Sequence, residues 1–211
     1  MSRTAGARNA DFDQRRNALI EKARIRLSAQ EGDAPSFREL ALAAGVSVAT
    51  MRHYFGTREA LIKAVFTLAL QGAGKHLNRA RQTETQNDQL QPVLESFLSR
   101  VVQGWTAGNV GSLHRIGLAE GLRSPTTGVD YLSDVLEPTL QALESRLRTY
   151  VAQGVIVDCD TRHAGLMLLS PIILALLHQH DLGGTRCRPL DIPSLISEHV
   201  KVFARAYRRT S

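Results

Sequence analysis

Hydrophobic residues recur along this chain at spacings of three and four, the repeat that lines up one face of an α-helix, and no strand-like alternation of useful length appears. After a polar stretch over residues 1–13, Leu19, Ile20, Ala23 and Leu27 form a first stripe, with Arg15, Arg16, Lys22 and Arg24 mainly off it. This predicts a helix from Gln14 to near Gln30, before Gly32. Ser36 and Glu39 then form an S-x-x-E capping box, which satisfies free amide donors at a helix start, and Gly45 closes that helix after Leu40, Ala41 and Ala44. Ser47 offers the next N-cap, with Met51 and Phe55 as the buried side of the helix that follows. Gly56 and Thr57 break it, and Leu61, Ile62, Val65 and Phe66 set a fourth stripe that runs on past Gly72 and Gly74 into a polar loop at 82–89.

Further on, Asp88 and Pro92 open a helix carrying Val93, Leu94, Phe97, Val101 and Trp105, which stops near Gly108, and a shorter helix spans 112–122. A turn is expected at 124–128. The series Leu132, Leu136, Leu140, Leu143, Leu147 and Tyr150 then describes one long helix, bent at Pro138, which cannot donate the usual backbone bond. Helices at 161–180 and 192–209 close the chain, and Ser170-Pro171 marks a kink in the first of them. The expectation is an all-α protein of about nine helices, without repeats or low-complexity tracts.

Composition agrees and narrows the class. With 43% hydrophobic and 22% charged residues the chain can bury a core, and only 5% are aromatic while Ala, Leu and Arg abound, which favours helix. Cys159 and Cys187 fit neither a disulfide scaffold nor a paired-cysteine metal site, so a reducing cytoplasm is the simplest home. No signal-like apolar segment opens the chain, and no run reaches the roughly 18 uninterrupted apolar residues of a membrane span. His178 and His180, two apart, point to different faces of a helix and make no metal site with Cys187; no metal or cofactor is expected. Catalytic fingerprints such as G-x-S-x-G, H-E-x-x-H or a P-loop are missing, so no enzyme is read. The formal net charge of +6 suggests an anionic partner. Residues 1–66 hold eleven Lys and Arg against seven Asp and Glu, four of those six charges.

Residues 36–55, SFRELALAAGVSVATMRHYF, carry the chemistry, because two short helices joined by a glycine turn make a helix-turn-helix. Val46, Met51 and Phe55 pin the second helix, leaving Ser47, Ala49, Thr50, His53 and Tyr54 to face outward. Small residues at its start would let it enter a major groove, where the threonine methyl packs on thymine and its hydroxyl bonds phosphate or base. The string resembles the TetR (tetracycline-repressor) family in its capping residue, its Ala-Gly-Val-Ser turn, its small-Thr-Met recognition start, its His-Tyr-Phe ending and the following Thr57-Arg58-Glu59 and Leu61. Weaker likeness continues at Arg115–Glu120 and Leu169–Ile172.

That resemblance implies a homodimeric, ligand-responsive repressor of a palindromic DNA operator. It implies an arm at 1–13, a three-helix DNA-binding domain at 14–66 and a helical ligand-binding and dimerisation domain at 67–211. By position, Arg38, Val48, Ala49, Thr50 and His53 would face bases, and Ser36, Arg52, Tyr54 and Arg58 phosphates. Arg52 stands where the family usually has tyrosine, so either the contact becomes charge-assisted or the helix docks slightly differently. The last two helices would form the dimer bundle, with Leu166, Leu169, Ile173, Leu176 and Leu177 on one and Leu195, Val202, Phe203 and Ala206 on the other. For the effector pocket of an unknown small molecule the candidates are Phe97, Trp105, His114, Leu118, Tyr131, Met167 and Ser170, each coupling bulk or polarity with an inward-facing position. Rival readings are an all-helical carrier or enzyme with a vestigial DNA-binding module, and an architectural DNA binder without sequence specificity.

Overall fold

Local chemistry sets most helix boundaries in the computed structural model, which describes residues 5–29, 34–82, 90–107 and 109–209. In order these form α1 (Ala5–Ser28), α2 (Phe37–Ala43), α3 (Val48–Phe55), α4 (Arg58–Gln82), α5 (Leu90–Ala107), α6 (Val110–Gly121), α7 (Pro125–Tyr131), α8 (Glu137–Ala152), α9 (Thr161–His180), the single turn α10 (Gly184–Cys187) and α11 (Ile192–Tyr207). A π-helical segment, Leu132–Leu136, joins α7 to α8. Among the described residues the sole β feature is an isolated antiparallel bridge between Ile156 and Arg208. The loop expected at 82–89 and the stop at Gly108 fall almost wholly outside the described residues.

Three expectations change. Residues 5–13, expected as a loose arm, are the first turns of α1. The turn at 124–128 is instead the start of α7, with Ser124 as N-cap and Pro125 in the first helical turn, where its missing amide costs no bond. The long helix expected across 132–150 opens as the π-helical segment, and Pro138 stands directly after it in the first turn of α8.

The chain divides into two compact units, Met1–Gly72 with Ser112–Val135, and Ala73–Gly111 with Leu136–Ser211. The first therefore takes in a stretch that the boundary at 66 leaves out. Its core holds Ile20, Ala23, Leu40, Ala41, Ala44, Met51, Leu61, Ile62, Phe66 and Ile116, all at most 1% exposed. Polar ties bind residues 112–134 to α1 and α4. Arg24 donates to the Ser112 hydroxyl at 2.8 Å, Lys63 pairs with Asp130 at 2.8 Å, and the Thr67 hydroxyl donates to Asp134 at 2.8 Å.

In the second unit α5, α8, α9 and α11 bury Leu94, Leu98, Leu143, Leu147, Leu168, Ile172, Leu176 and Val200. Helix α9 is long and apolar enough, by length and composition, to cross a membrane, yet Leu168, Leu169, Ile172, Ala175 and Leu176 of it are core residues of this unit. Pro171 sits inside α9 and has no N–H for the Met167 carbonyl one turn back. His199 of α11 compensates, its Nε2 lying 3.1 Å from that carbonyl and 3.2 Å from the Leu168 carbonyl. The imidazole nitrogen donates there, so the proline fixes α11 against α9 as well as weakening α9.

Candidate nucleic-acid interface

Helices α2 and α3 are held at their ends by their own side chains. The Ser36 hydroxyl accepts from the Glu39 amide at 3.2 Å while the Glu39 carboxylate accepts from the Ser36 amide at 2.7 Å, the reciprocal capping box. At the far end Gly45 has φ of 74°, a conformation costly for any residue with a Cβ. It lets the Gly45 amide reach the Leu42 carbonyl at 2.9 Å and the Val46 amide reach that of Ala41 at 3.0 Å, closing the helix. Lys22 of α1 adds its ammonium to the Ala44 carbonyl at 3.0 Å, placing positive charge at the negative end of α2.

Helix α3 begins on Ser47, whose hydroxyl accepts from the Thr50 amide at 3.0 Å and lies 2.9 Å from the Thr50 hydroxyl. Two hydroxyls sharing one hydrogen bond leave the second hydroxyl proton for another acceptor. Met51 and Phe55 are buried, at 0% and 8% exposure, and Val46 is half-buried. Ser47, Ala49, Arg52 and His53 are exposed, Val48, Thr50 and Tyr54 half-buried, and Arg38 of α2 and Ser36 are exposed too. One face of α3 thus anchors the helix and leaves its small and cationic side chains outward.

Arg58, expected to contact phosphate, here donates from both terminal nitrogens to the Glu120 carboxylate of α6 at 2.7 Å, and from Nε to the Pro35 carbonyl at 2.9 Å. Its fork is engaged inside the first unit by a bidentate carboxylate, whose two oxygens match a planar guanidinium. Phe12, missing from the expected set, stacks on Tyr54 with centroids 4.7 Å apart and meets His53 edge-on at 6.4 Å. A lone aromatic four residues ahead of Arg16 was the available signal.

The expected pocket residues separate. In the second unit Phe97 and Trp105 are buried in the core, whereas Met167, 58% exposed, and Ser170 lie on the outward face of α9 and do not line an interior. In the first unit Leu118 is half-buried, and His114 and Tyr131 form a buried pair with Nδ1 2.7 Å from the phenol oxygen. Burial pushes the imidazole down to about 4 and the phenol up to about 12, so a protonated phenol donates to a neutral ring. The folded protein thus refuses a proton that the unfolded chain accepts below about 6.5. Stability should be full above that pH and fall as pH drops toward about 4, by at most about 1.4 kcal/mol per pH unit. Denaturation curves between pH 7 and pH 4.5 check this, and His114→Gln should flatten the slope; an unchanged slope in the variant refutes it.

Among known proteins, the family profile of bacterial regulatory proteins of the tetR family matches residues 19–65, and that of the AefR-like transcriptional repressor C-terminal domain matches residues 92–209. A search of curated proteins finds no match. Among solved structures, a TetR regulator from Agrobacterium tumefaciens shares 23% identity, covering 93% of this chain and 95% of its own, with a TM-score of 0.72. The flavonoid-responsive regulator FrrA also shares 23%, covering 94% and 100%, with a TM-score of 0.69. The fatty acid degradation regulator FadR from Bacillus halodurans shares 15%, covering 90% and 94%, with a TM-score of 0.62. At such identities these likenesses speak for the fold alone. The two profile matches, one over the capped helix pair and one over most of the remaining chain, make this chain a member of the TetR family of transcriptional regulators, with a DNA-binding helix-turn-helix in α2 and α3.

Proposed function

We propose that the protein is a homodimeric, ligand-responsive repressor of a palindromic operator, acting in the cytoplasm. The observation that carries this reading is α3 itself, anchored by Met51 and Phe55 while Ser47, Ala49, Arg52 and His53 stand exposed. One such helix covers too few base pairs for tight specific binding, and a two-fold pair reading successive half-sites supplies the rest. A surface for pairing is available on the second unit. Leu166, Met167 and Leu174 of α9 and Val202 of α11 are exposed at 37%, 58%, 65% and 60%, an apolar set of the kind that marks an interaction face. Leu169, Leu176 and Phe203, expected at that interface, are core residues of the subunit instead. An all-helical run offers no polar stripe to distinguish the two sides.

Base contacts fall to Arg38, Val48, Ala49, Thr50 and His53, and phosphate contacts to Ser36, Ser47, Arg52 and Tyr54. A small effector would release the operator by binding one of two conformations more tightly than the other. FrrA, by its name, answers to flavonoids and FadR governs fatty acid degradation; an organic effector for this chain follows by analogy of fold.

Selection of bound sequences from random DNA should return an inverted repeat. On that sequence the Thr50→Ala/His53→Ala protein should lose at least about 30-fold in specific affinity, since each base contact is worth about 1–3 kcal/mol and two subunits lose it together. A folded double variant that binds as tightly as the wild type would disprove the recognition-helix assignment.

A further inference from the structure

The geometry points to Phe12 as a positioning residue for operator reading, one that holds His53 and Tyr54 in the orientation in which α3 meets DNA. The inference rests on the recognition-helix reading above and deepens it. Phe12 is 40% exposed, so its ring contributes little to the core and its contacts are with surface neighbours. Its neighbours are the two side chains at the end of α3. It lies nearly parallel to Tyr54, at 27° and 4.7 Å, and almost perpendicular to His53, at 86° and 6.4 Å; His53 and Tyr54 meet edge-on at 5.5 Å and 77°. The three rings form one contiguous cluster at the end of α3.

One turn along α1, the Arg16 guanidinium sits over the Phe55 ring at 5.3 Å. Phe12 and Arg16, four residues apart and so on one stripe of α1, thereby grip the last turn of α3 at residues 53–55. The grip differs from the core beneath it. Ile20, Ala23, Met51 and Leu40 are at most 1% exposed and hold the helices together without it. The Phe12 cluster is superficial, and what it adds is the arrest of two side chains before DNA arrives. Side chains already fixed lose no rotamer freedom on binding, so the contact they make is stronger for the same atoms.

The test compares Phe12→Ala, Phe12→Tyr, His53→Ala/Tyr54→Ala and the triple variant, each as the full chain, on the selected operator and on random duplex. Thermal melting is measured alongside. Phe12→Ala should weaken operator binding about fivefold, roughly the cost of freeing one or two side chains, and random DNA by clearly less, because the Tyr54 contact to phosphate is shared by both while the His53 contact to bases is made on the operator alone; melting should stay near wild type. Phe12→Tyr keeps the ring and should restore binding. In the background lacking both partner rings, Phe12→Ala should cost almost nothing more.

Equal losses on operator and random DNA, full additivity in the triple variant, or no loss at all would each overturn the inference. If His53→Ala/Tyr54→Ala itself leaves operator binding intact, the recognition-helix reading has failed and takes this inference with it. A loss there with none in Phe12→Ala refutes the inference alone.

Discussion

Replacing Arg58 by alanine should lower the stability of the first unit by about 3 kcal/mol, and leave the salt dependence of operator binding close to that of the wild type. Glu120 is 7% exposed and its carboxylate takes both terminal nitrogens of Arg58 at 2.7 Å, while Nε serves the Pro35 carbonyl. Removing the guanidinium strands a buried negative charge and an acceptor together, the circumstance in which loss of one ion-pair partner is most damaging. Glu120→Gln should cost less, because a neutral amide still accepts from the arginine. Chemical denaturation reads the first quantity, and binding across a range of salt concentrations reads the second. A loss below about 1 kcal/mol, together with a flattened salt slope, would return Arg58 to the phosphate backbone.

A comparable loss, about 3 kcal/mol or more, is expected for Gly117→Ala. A methyl at this position of α6 would overlap the Tyr131 ring, with even the ring carbon Cγ only 2.5 Å away. The ring has nowhere to retreat. Its hydroxyl is held by His114 at 2.7 Å and its face lies 6.1 Å from the Phe66 ring at 56°. Overpacking that neither neighbour can absorb strains backbone and rotamers alike. Gly117→Ala that melts within a degree or two of wild type would show that Tyr131 can move, and with it that the His114 pair is loose. Gly111→Ala, in the second unit, meets a different ring at a less severe 2.9 Å, that of Trp105, and serves as the comparison.

What the sequence discloses and what it hides divide along the range of the forces involved. The caps at Ser36, Ser47, Ser124 and Asp160 act within three residues, and the helix-turn-helix is legible because nearly all its constraints are of this kind. Ser124 and Pro125 mark the start of α7 by the same short-range chemistry, and Gly128, the end of the turn expected there, lies inside the helix. The π segment could not be seen in periodicity. Leu132 and Leu136 continue the spacing of Leu140, Leu143 and Leu147, yet across the π turn Leu136 still packs against that core while Leu132 is turned outward, 45% exposed.

Between Ala164 and Leu177 α9 is apolar but for Ser170, so pattern alone gave no reason to send Leu169 inward and Met167 outward. Residues 5–13 lack an apolar repeat, and Phe12 among them finds its partners some forty positions on. The Glu120 partner of Arg58 is hidden for the same reason, being 62 residues distant in the chain.

The join between Arg58 and Glu120, with those of Lys63 to Asp130 and Thr67 to Asp134, also bears on how such regulators can be recombined. A reading head cut at the end of the first four helices and grafted onto a foreign sensor would leave its carboxylate anchors behind. Chimeras built from this protein have to carry the segment 112–135 with the amino-terminal portion, which makes the natural seam for exchange three crossings of the chain where a linear map would draw one.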